Sequence, residues 1–271
     1  MTTAVLAPPR RPVAKYVAVA ATAVRHALMQ RWEVIGRAAF YVLFLVIFSR
    51  LWQVALAGGG GWSHGPVDML WYLAVTEWIV ISIPSIHDDV QEDVRTGDIA
   101  YLLPRPMSYV GGRVAEGIGL LLVRMATLGI PGFFLAWALS GGLPSDPRGL
   151  LLAAPLGILA GCVCVVFQTA IGITAFWLQD ASPVYWIWQK LMFLFGGLIL
   201  PLDVYPDWMR AVAACTPFHA LVYGPARSAL SFDVGTALST AAWIVAWGGV
   251  AWLLLLAVFR RGLYALDVNG G

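Results

Sequence analysis

Charged side chains are scarce in this sequence, and their scarcity excludes most classes of soluble protein. Asp, Glu, Lys and Arg make up 12% of the 271 residues, whereas 60% of the residues are hydrophobic. Soluble domains carry about 25% charged residues, so this chain is expected to lie in a membrane. The net charge of +2 argues against a nucleic-acid partner, because such binding needs a concentrated basic surface.

Cysteine is rare and a nucleotide-binding loop is missing. The chain has three cysteines, and two of them, Cys162 and Cys164, lie inside an apolar run, so neither a disulfide framework nor a metal site is predicted. The patterns GxxxxGKS and GxxxxGKT, whose backbone amides hold nucleotide phosphates, occur nowhere in the sequence. We therefore expect no cofactor in this chain, and energy from ATP would have to come from another polypeptide.

Long apolar runs predict an all-α membrane protein with six transmembrane helices. The mean hydropathy is +0.77. We expect a cytoplasmic tail and an interfacial amphipathic helix over 1–37, a transmembrane domain over 38–261 and a cytoplasmic tail over 262–271. The six predicted spans cover about 38–57, 69–87, 114–139, 150–177, 184–200 and 236–259. The segment 203–232 contains prolines and charged residues that break it into pieces, so it predicts two short external helices that dip into the outer leaflet.

The amphipathic helix is predicted over 13–37. Its large apolar residues recur near helical spacing and are expected to form the stripe that lies along the inner interface. They are Val17, Val24, Leu28, Trp32 and Ile35.

The distribution of Lys and Arg predicts the orientation of the chain. Basic residues concentrate before the first span, in the loop after the second span and after the last span, whereas the opposite side holds only Arg148, Arg210 and Arg227. The positive-inside rule then places both termini in the cytoplasm. A seventh span would move Arg260 and Arg261 to the outside, so six spans are favoured.

The longest polar interruption between spans is the segment 88–113, which reads DDVQEDVRTGDIAYLLPRPMSYVGGR. An acidic cluster precedes Gly97, a short apolar patch from Ile99 to Leu103 follows it, and Pro104 closes the patch. This pattern predicts a short amphipathic helix, a turn and a second apolar anchor at a membrane surface.

The order of these residues resembles the first cytoplasmic loop of permease subunits of type-2 ABC exporters. The resemblance includes Gly97, Asp98-Ile99, the leucines before Pro104, and then Gly112 and Glu116 as the next span begins. A second resemblance lies in 196–230, GGLILPLDVYPDWMRAVAACTPFHALVYGPARSAL. In the family, a span here ends in Gly-Gly and Pro and is followed by an external Tyr-Pro-x-Trp turn and a Pro-Phe pair.

The resemblance implies a bacterial protein of the cytoplasmic (inner) membrane, in which the loop is a coupling helix that docks on a separate ATPase. It implies two ATPase subunits that carry ATP and Mg, a second permease chain that is identical or a sister, and no catalytic residue in this chain. The cargo would be an amphipathic or lipid-like molecule that moves outward. The implied coupling residues are Asp88, Asp89, Val90, Glu92, Asp93, Arg95, Gly97, Asp98, Leu102 and Leu103.

Ionisable residues inside the spans are the other candidates for function, because a charge at membrane depth is costly unless it is paired or hydrated. Glu77 and Arg124 are expected at equal depth in consecutive spans, which predicts an ion pair that either holds the spans together or acts as a gate. Glu116 is expected near the inner interface, beside the coupling loop. His87 is a candidate proton relay, but a histidine next to two aspartates at a membrane boundary is more often solvated, so we expect it to be solvated.

Aromatic residues in the last two spans suit an amphipathic cargo, although the same rings would also suit contact with lipid. The candidates for the substrate path are Phe193, Phe195, Trp243 and Trp247.

Two other classes of function remain open from the sequence. An ion-coupled secondary transporter or channel would act without an ATPase, and it predicts internal repeats that are not evident here. A membrane-embedded lipid-modifying enzyme would need a cluster of His, Asp and Glu at an interface, for which the neighbourhood of His87 is the only candidate.

Overall fold

The computed structural model describes residues 12–29, 31–57 and 65–269, and this part of the chain is helical without any strand. A 3-10 turn at Leu202–Val204 and a π-helical turn at His219–Tyr223 separate the later helices. Residues 1–11 of the predicted tail and residues 270–271 lie outside the described part. The α-helices are α1 (Pro12–Met29), α2 (Arg31–Ala57), α3 (Pro66–Ser82), α4 (Ile86–Thr96), α5 (Ile99–Leu102), α6 (Tyr109–Ser140), α7 (Gly149–Ile173), α8 (Ala175–Leu178), α9 (Ser182–Phe195), α10 (Asp207–Ala214), α11 (Gly224–Ser228) and α12 (Val234–Asn269).

Within the described residues, five segments are long and apolar enough to cross a membrane. They are Trp32–Val54, Pro66–Thr96, Tyr109–Ser140, Gly149–Leu178 and Val234–Tyr264. The chain is therefore a multi-pass membrane protein, and five of the six predicted spans correspond to these segments.

The predicted span at 184–200 does not form a full-length helix. α9 has 14 residues and ends at Phe195, whereas about 20 are needed to cross the hydrocarbon core. Gly197 has a φ of +64° and turns the chain, and Tyr72 and Thr76 of α3 then donate hydrogen bonds to the carbonyls of Gly197 and Leu198. The prediction of a sixth single-helix span is not confirmed, because a glycine turn interrupts the apolar run.

The contacts define two ends of the bundle. At one end lie α4, the start of α6 and the start of α9, since Asp93 binds Tyr109 and His87 stacks on Tyr185 with ring centroids 3.8 Å apart. At the other end, the Ser145 amide and hydroxyl donate to Asp68 at 2.8 and 2.6 Å.

The chain after α9 returns to this second end. The Phe232 amide donates to Asp146 at 3.1 Å, next to the start of α7. The segment from Ser182 to Phe232 therefore joins the two ends of the bundle, although it is built from short pieces.

The core lies around α3, which is the most buried long helix. It packs against α2, α6 and α7. The Tyr41 hydroxyl donates to the Ala74 carbonyl at 2.6 Å, and the Trp78 indole donates to the Met125 carbonyl at 2.8 Å. A Cβ on Gly132 would lie 2.0 Å from the Tyr41 ring, so α2 and α6 approach this closely only because that residue is glycine.

The predicted helix over 13–37 is divided between α1 and α2. α1 packs along the first half of α6 through its small residues, and Ala23 and Ala27 are buried there. A Cβ on Gly119 would lie 2.5 Å from the Ala20 carbonyl oxygen. The predicted apolar stripe faces away from the protein, since Val17 and Leu28 are exposed. Small side chains allow the close helix contact, and the large ones remain available to lipid.

Candidate functional site

The predicted surface helix is present as α4, directly after the end of α3. Pro84 lies in the break between Ser82 and Ile86, where the helical hydrogen bonding of α3 stops. α4 ends at Gly97, which has a φ of +79° and donates its amide to the Val94 carbonyl at 3.3 Å. This left-handed conformation favours glycine, so the predicted turn after the acidic cluster is confirmed.

One face of α4 is buried against the bundle. Ile86, Val90 and Asp93 follow each other at intervals of four and three residues, and all three are buried. Val90 packs on Gly172 of α7 so closely that a Cβ on that glycine would lie 2.6 Å from the Val90 Cβ. α4 is therefore seated directly on the end of α7.

Asp93 is the polar centre of this buried face. Its Oδ2 accepts hydrogen bonds from the Tyr109 hydroxyl at 2.6 Å and from Arg113 Nε at 2.9 Å, and a second guanidinium nitrogen also binds it. Arg113 Nη1 donates in turn to Glu116 at 2.8 Å. The side chains of Asp93 and Arg113 are 11% and 18% exposed, so this ion pair is largely withdrawn from solvent. It joins α4 to the first turns of α6.

The opposite face of α4 and the following α5 forms a charged and exposed surface, which we name the outer face of α4–α5. Ile99 anchors α5 because it is buried, and Leu102 and Leu103 are partly buried against the core. Tyr101 is 79% exposed. The outer face consists of Asp88, Asp89, Glu92, Arg95, Asp98 and Tyr101, all of which are exposed.

The implied coupling residues thus separate into two groups. Asp88, Asp89, Glu92, Arg95, Gly97 and Asp98 lie on the exposed side, whereas Val90 and Asp93 are buried and Leu102 and Leu103 are half-buried. Tyr101 was missed by the sequence reasoning, although it is an aromatic residue beside an acidic cluster. The sequence reasoning also missed Arg113. The signal for it was Asp93, which lies at helical spacing from Ile86 and Val90. A carboxylate on this buried face needs a basic partner.

His87 is buried, so the prediction that it is solvated was wrong. It is 3% exposed and stacks on Tyr185 of α9. Its Nε2 lies 3.3 Å from the carboxylate of Asp88. Because the helix breaks at Pro84, the start of α4 turns toward α9. Tyr185 of α9 then covers the imidazole of His87.

The loop before α9 lies beside α4. Gln91 accepts a hydrogen bond from the Ala181 amide. Hydrogen bonds from Ser182 hold the pKa of Asp180 below its ordinary value, and the Ser182 amide lies 3.0 Å from the carboxylate. The Gln91 contact connects α4 to the start of α9, in addition to the contacts of its buried face with α6 and α7.

The predicted ion pair between Glu77 and Arg124 is not formed. Arg124 binds Glu33 at the start of α2 and donates to the Ile83 carbonyl at 3.3 Å. α3 ends at Ser82 rather than near His87. Arg124 lies level with Ile83, just after the end of α3, and Glu77 lies about 9 Å deeper at 1.5 Å per residue. Glu33 takes the place that the sequence reasoning gave to Glu77.

Two of the cavities in the described part of the chain lie near these charges and bring predicted residues together. The first, of about 780 Å³, lies between α1, α4 and α6 and has a charged lining that includes Glu33, Arg37, Asp88, Asp89, Glu116 and Arg124. Glu116 lines this cavity and therefore lies beside α4.

The second cavity, of about 490 Å³, lies between α2, α3 and α9. Glu77 and Phe193 both line it, so the structure brings together one predicted gate residue and one predicted path residue. Phe195 packs against the core, while Trp243 is 60% exposed and Trp247 is partly buried on α12. None of these three lines this cavity.

Within the ranges that the structure describes, no group of three or more His, Cys, Asp and Glu side chains is arranged to hold a metal ion. The model of the family described as ABC-2 family transporter protein matches residues 34–270. A comparison with curated proteins finds no match.

Proposed function

The chain belongs to the ABC-2 family of transporter proteins, and from this premise we propose that it is the permease subunit of an ABC exporter whose ATPase docks on the outer face of α4–α5. The family implies partnership with ABC ATPase subunits and a membrane subunit without catalysis of its own. ATP and Mg then belong to the partner, with two ATPase subunits in the complex.

The observation that carries this proposal is the difference between the two faces of α4: one is charged and exposed, and the other is buried against the bundle. Its outer face is charged and open to a soluble partner, and Tyr101 adds an exposed aromatic ring, a residue type that is enriched in protein interfaces. Its inner face is fixed to α6 by the Asp93–Arg113 pair and to α7 by the close contact of Val90 with Gly172. A solvated helix with no partner would not need such an anchor.

These contacts determine how a movement of α4 would be transmitted to α6 and α7. A push on the outer face cannot bend α4 away from α6 without separating this largely buried ion pair, and the loss of one partner of a fully buried pair costs about 3–5 kcal/mol. Moving α4 together with α6 and α7 keeps this pair intact. ATPase closure would therefore shift α4, the start of α6 and the end of α7 against α2 and α9, where the second cavity lies.

The positions of the basic residues support an orientation of the chain in the membrane. We propose that the end of the bundle with α4 faces the cytoplasm of the inner membrane, because Arg95, Arg105 and Arg113 belong to this end. Both described chain ends lie there too, since Tyr16 contacts Gly111 and Phe259 stacks on Tyr109. α9 and the pieces up to 232 would supply the sixth crossing, with the short helices after α9 entering from the outer side.

Cargo is proposed to be amphipathic or lipid-like and to move outward. The exposed apolar faces of α2 and α9 beside the second cavity support a second permease chain at this side, with the cargo route between the two copies or sister chains. In this arrangement Phe193 lines the route, whereas Trp243 and Trp247 on α12 remain candidates only for lipid contact or a different part of the path.

The test reverses charge on the outer face without touching the anchor. Glu92→Arg combined with Asp98→Arg should lower the amount of ATPase that co-purifies with the chain at least tenfold, while membrane insertion stays normal. Asp207→Arg is the control, because this carboxylate is 92% exposed in α10 at a distance from α4 along the chain. Undiminished ATPase recovery and transport in the double variant would refute docking on this face.

An ion-coupled transporter is the second candidate, and one observation favours it. Glu77 is a buried carboxylate within an apolar helix, as expected for an ion or proton site. Transport by the purified chain in liposomes without nucleotide would support this candidate over the exporter, whereas strict dependence on an ATPase partner would exclude it.

A further inference from the structure

The cavity between α2, α3 and α9 has a chemical character that narrows the class of ligand. We name it the Glu77 cavity. Its volume is about 490 Å³, which suits a molecule of small drug size. Its lining combines one buried carboxylate with several aromatic rings.

Glu77 is the feature that requires an explanation. Its side chain belongs to a residue that is 3% exposed, and it lines the cavity. Among the residues that the structure describes, none forms a hydrogen bond or ion pair with its carboxylate. A buried carboxylate without a partner is strongly unfavourable, so Glu77 needs a proton or a positive charge that the chain itself does not bring to it.

The two basic residues around the cavity are engaged elsewhere. Arg37 binds Glu33 and donates to the Ile81 carbonyl, both at 3.1 Å. Lys190 is exposed and lies over the Trp186 ring, with its Nζ 5.9 Å from the centroid. Neither of them neutralises Glu77 in this structure.

The aromatic walls define the rest of the ligand. Phe40 and Phe44 of α2 and Phe193 of α9 line the cavity, and Phe40 and Phe193 are 54% and 45% exposed. Ring faces attract cations and bind apolar groups. A small hydrated inorganic cation would gain little from such walls, and an anion would be repelled by the carboxylate.

We infer that the Glu77 cavity binds a lipophilic monovalent cation, with its positive centre at Glu77 and its apolar body among the rings of Phe40, Phe44 and Phe193. This inference rests on the proposed function in that it names the class of cargo of the exporter. The binding itself requires neither nucleotide nor the ATPase.

The test compares two probes of nearly the same size and shape but opposite charge. The full chain is reconstituted in lipid nanodiscs, and binding of tetraphenylphosphonium and of tetraphenylborate is measured at equilibrium, with empty nanodiscs to subtract partition into lipid. Saturable binding of the cation and no saturable binding of the anion are expected. Equal binding of the two probes, or no saturable binding of the cation, would overturn the inference.

Variants locate the site. Glu77→Gln keeps the shape of the side chain and removes its charge, so it should weaken tetraphenylphosphonium binding at least tenfold. Phe193→Leu should weaken it roughly twofold to fivefold, as expected for the loss of one cation–ring contact. Asp207→Asn changes a carboxylate that does not line the cavity and is 92% exposed, so this variant should bind like the wild type.

Wild-type affinity in Glu77→Gln would refute the assignment. If Glu77→Gln does not fold, wild-type affinity in Phe193→Leu would refute it instead.

The outcome is separable from that of the proposed function. Absence of a co-purifying ATPase would refute the exporter but leave cation binding to the chain intact. Normal ATPase recovery together with no charge-selective binding would refute only the cargo class.

Discussion

The pair of carboxylates at positions 92 and 93 allows anchoring and docking to be measured separately. Both belong to α4, but the Glu92 side chain is 62% exposed and that of Asp93 is 11% exposed. Glu92 lies 3.5 Å from Arg95, in an exposed pair. Asp93 accepts hydrogen bonds from Tyr109 and Arg113. Neighbouring acids therefore have opposite surroundings.

Asp93→Ala should destabilise the protein by about 2–4 kcal/mol, somewhat less than the loss of a fully buried ion-pair partner because Arg113 retains Glu116. For a chain of this size, that change corresponds to a fall in melting temperature of roughly 5–15 °C. Glu92→Ala should change stability by less than about 1 kcal/mol, since exposed pairs contribute little. Thermal unfolding of the two purified variants in the same detergent measures both values.

ATPase binding should be affected in the opposite order from stability, more by Glu92→Ala than by Asp93→Ala. Glu92→Ala should weaken co-purification of the ATPase more than its small effect on stability predicts, because this side chain lies on the outer face of α4–α5. Asp93→Ala should retain ATPase binding below its melting temperature but lose coupling of hydrolysis to transport. If Asp93→Ala melts no lower than Glu92→Ala, the anchoring role of the buried pair is wrong.

Two further predictions concern the same end of the bundle. Gly172→Ala should lower the melting temperature and weaken coupling, because the added Cβ would lie 2.6 Å from the Cβ of Val90, whereas Gly249→Ala has nothing within 4 Å of its new Cβ and should behave like the wild type; equal melting temperatures would contradict the close contact. For Asp180, whose folded-state pKa is lowered by Ser182, the stabilising contribution is present above the unfolded pKa and is lost as the pH falls through the folded value. Asp180→Ala should therefore melt below the wild type at pH 7, and the difference should shrink below about pH 4; a difference that is constant from pH 7 to pH 3 would exclude this carboxylate as its source.

Much of the architecture could be predicted from hydropathy and turn chemistry. The surface helix before Gly97 and the multi-pass helical class follow from composition, acidic clustering and a residue that must adopt a positive φ. The inward position of Asp93 was also encoded, because it lies at helical spacing from Ile86 and Val90. The sequence reasoning counted the carboxylates of the segment together and did not assign them to faces.

The depth of charged residues along the helices could not be predicted from hydropathy. The apolar run that contains Glu77 continues past Pro84, so its hydropathy does not reveal that α3 stops at Ser82. The partner of Arg124 then depends on how α1 and α2 meet, which brings Glu33 to it. The end of α9 depends on the turn at Gly197, and a window of average hydropathy does not detect a single turn.

The seating of α1 on α6 has a consequence for how the protein is made. Lys15 donates a hydrogen bond of 2.6 Å to the Pro106 carbonyl, across a sequence separation of 91 residues. A ribosome that adds about 5–20 residues per second needs roughly 5–20 s to synthesise this interval. During that time α1 has no α6 to pack against. Its apolar stripe, which includes Val17 and Leu28, can hold the new helix at the membrane surface until α6 has been inserted.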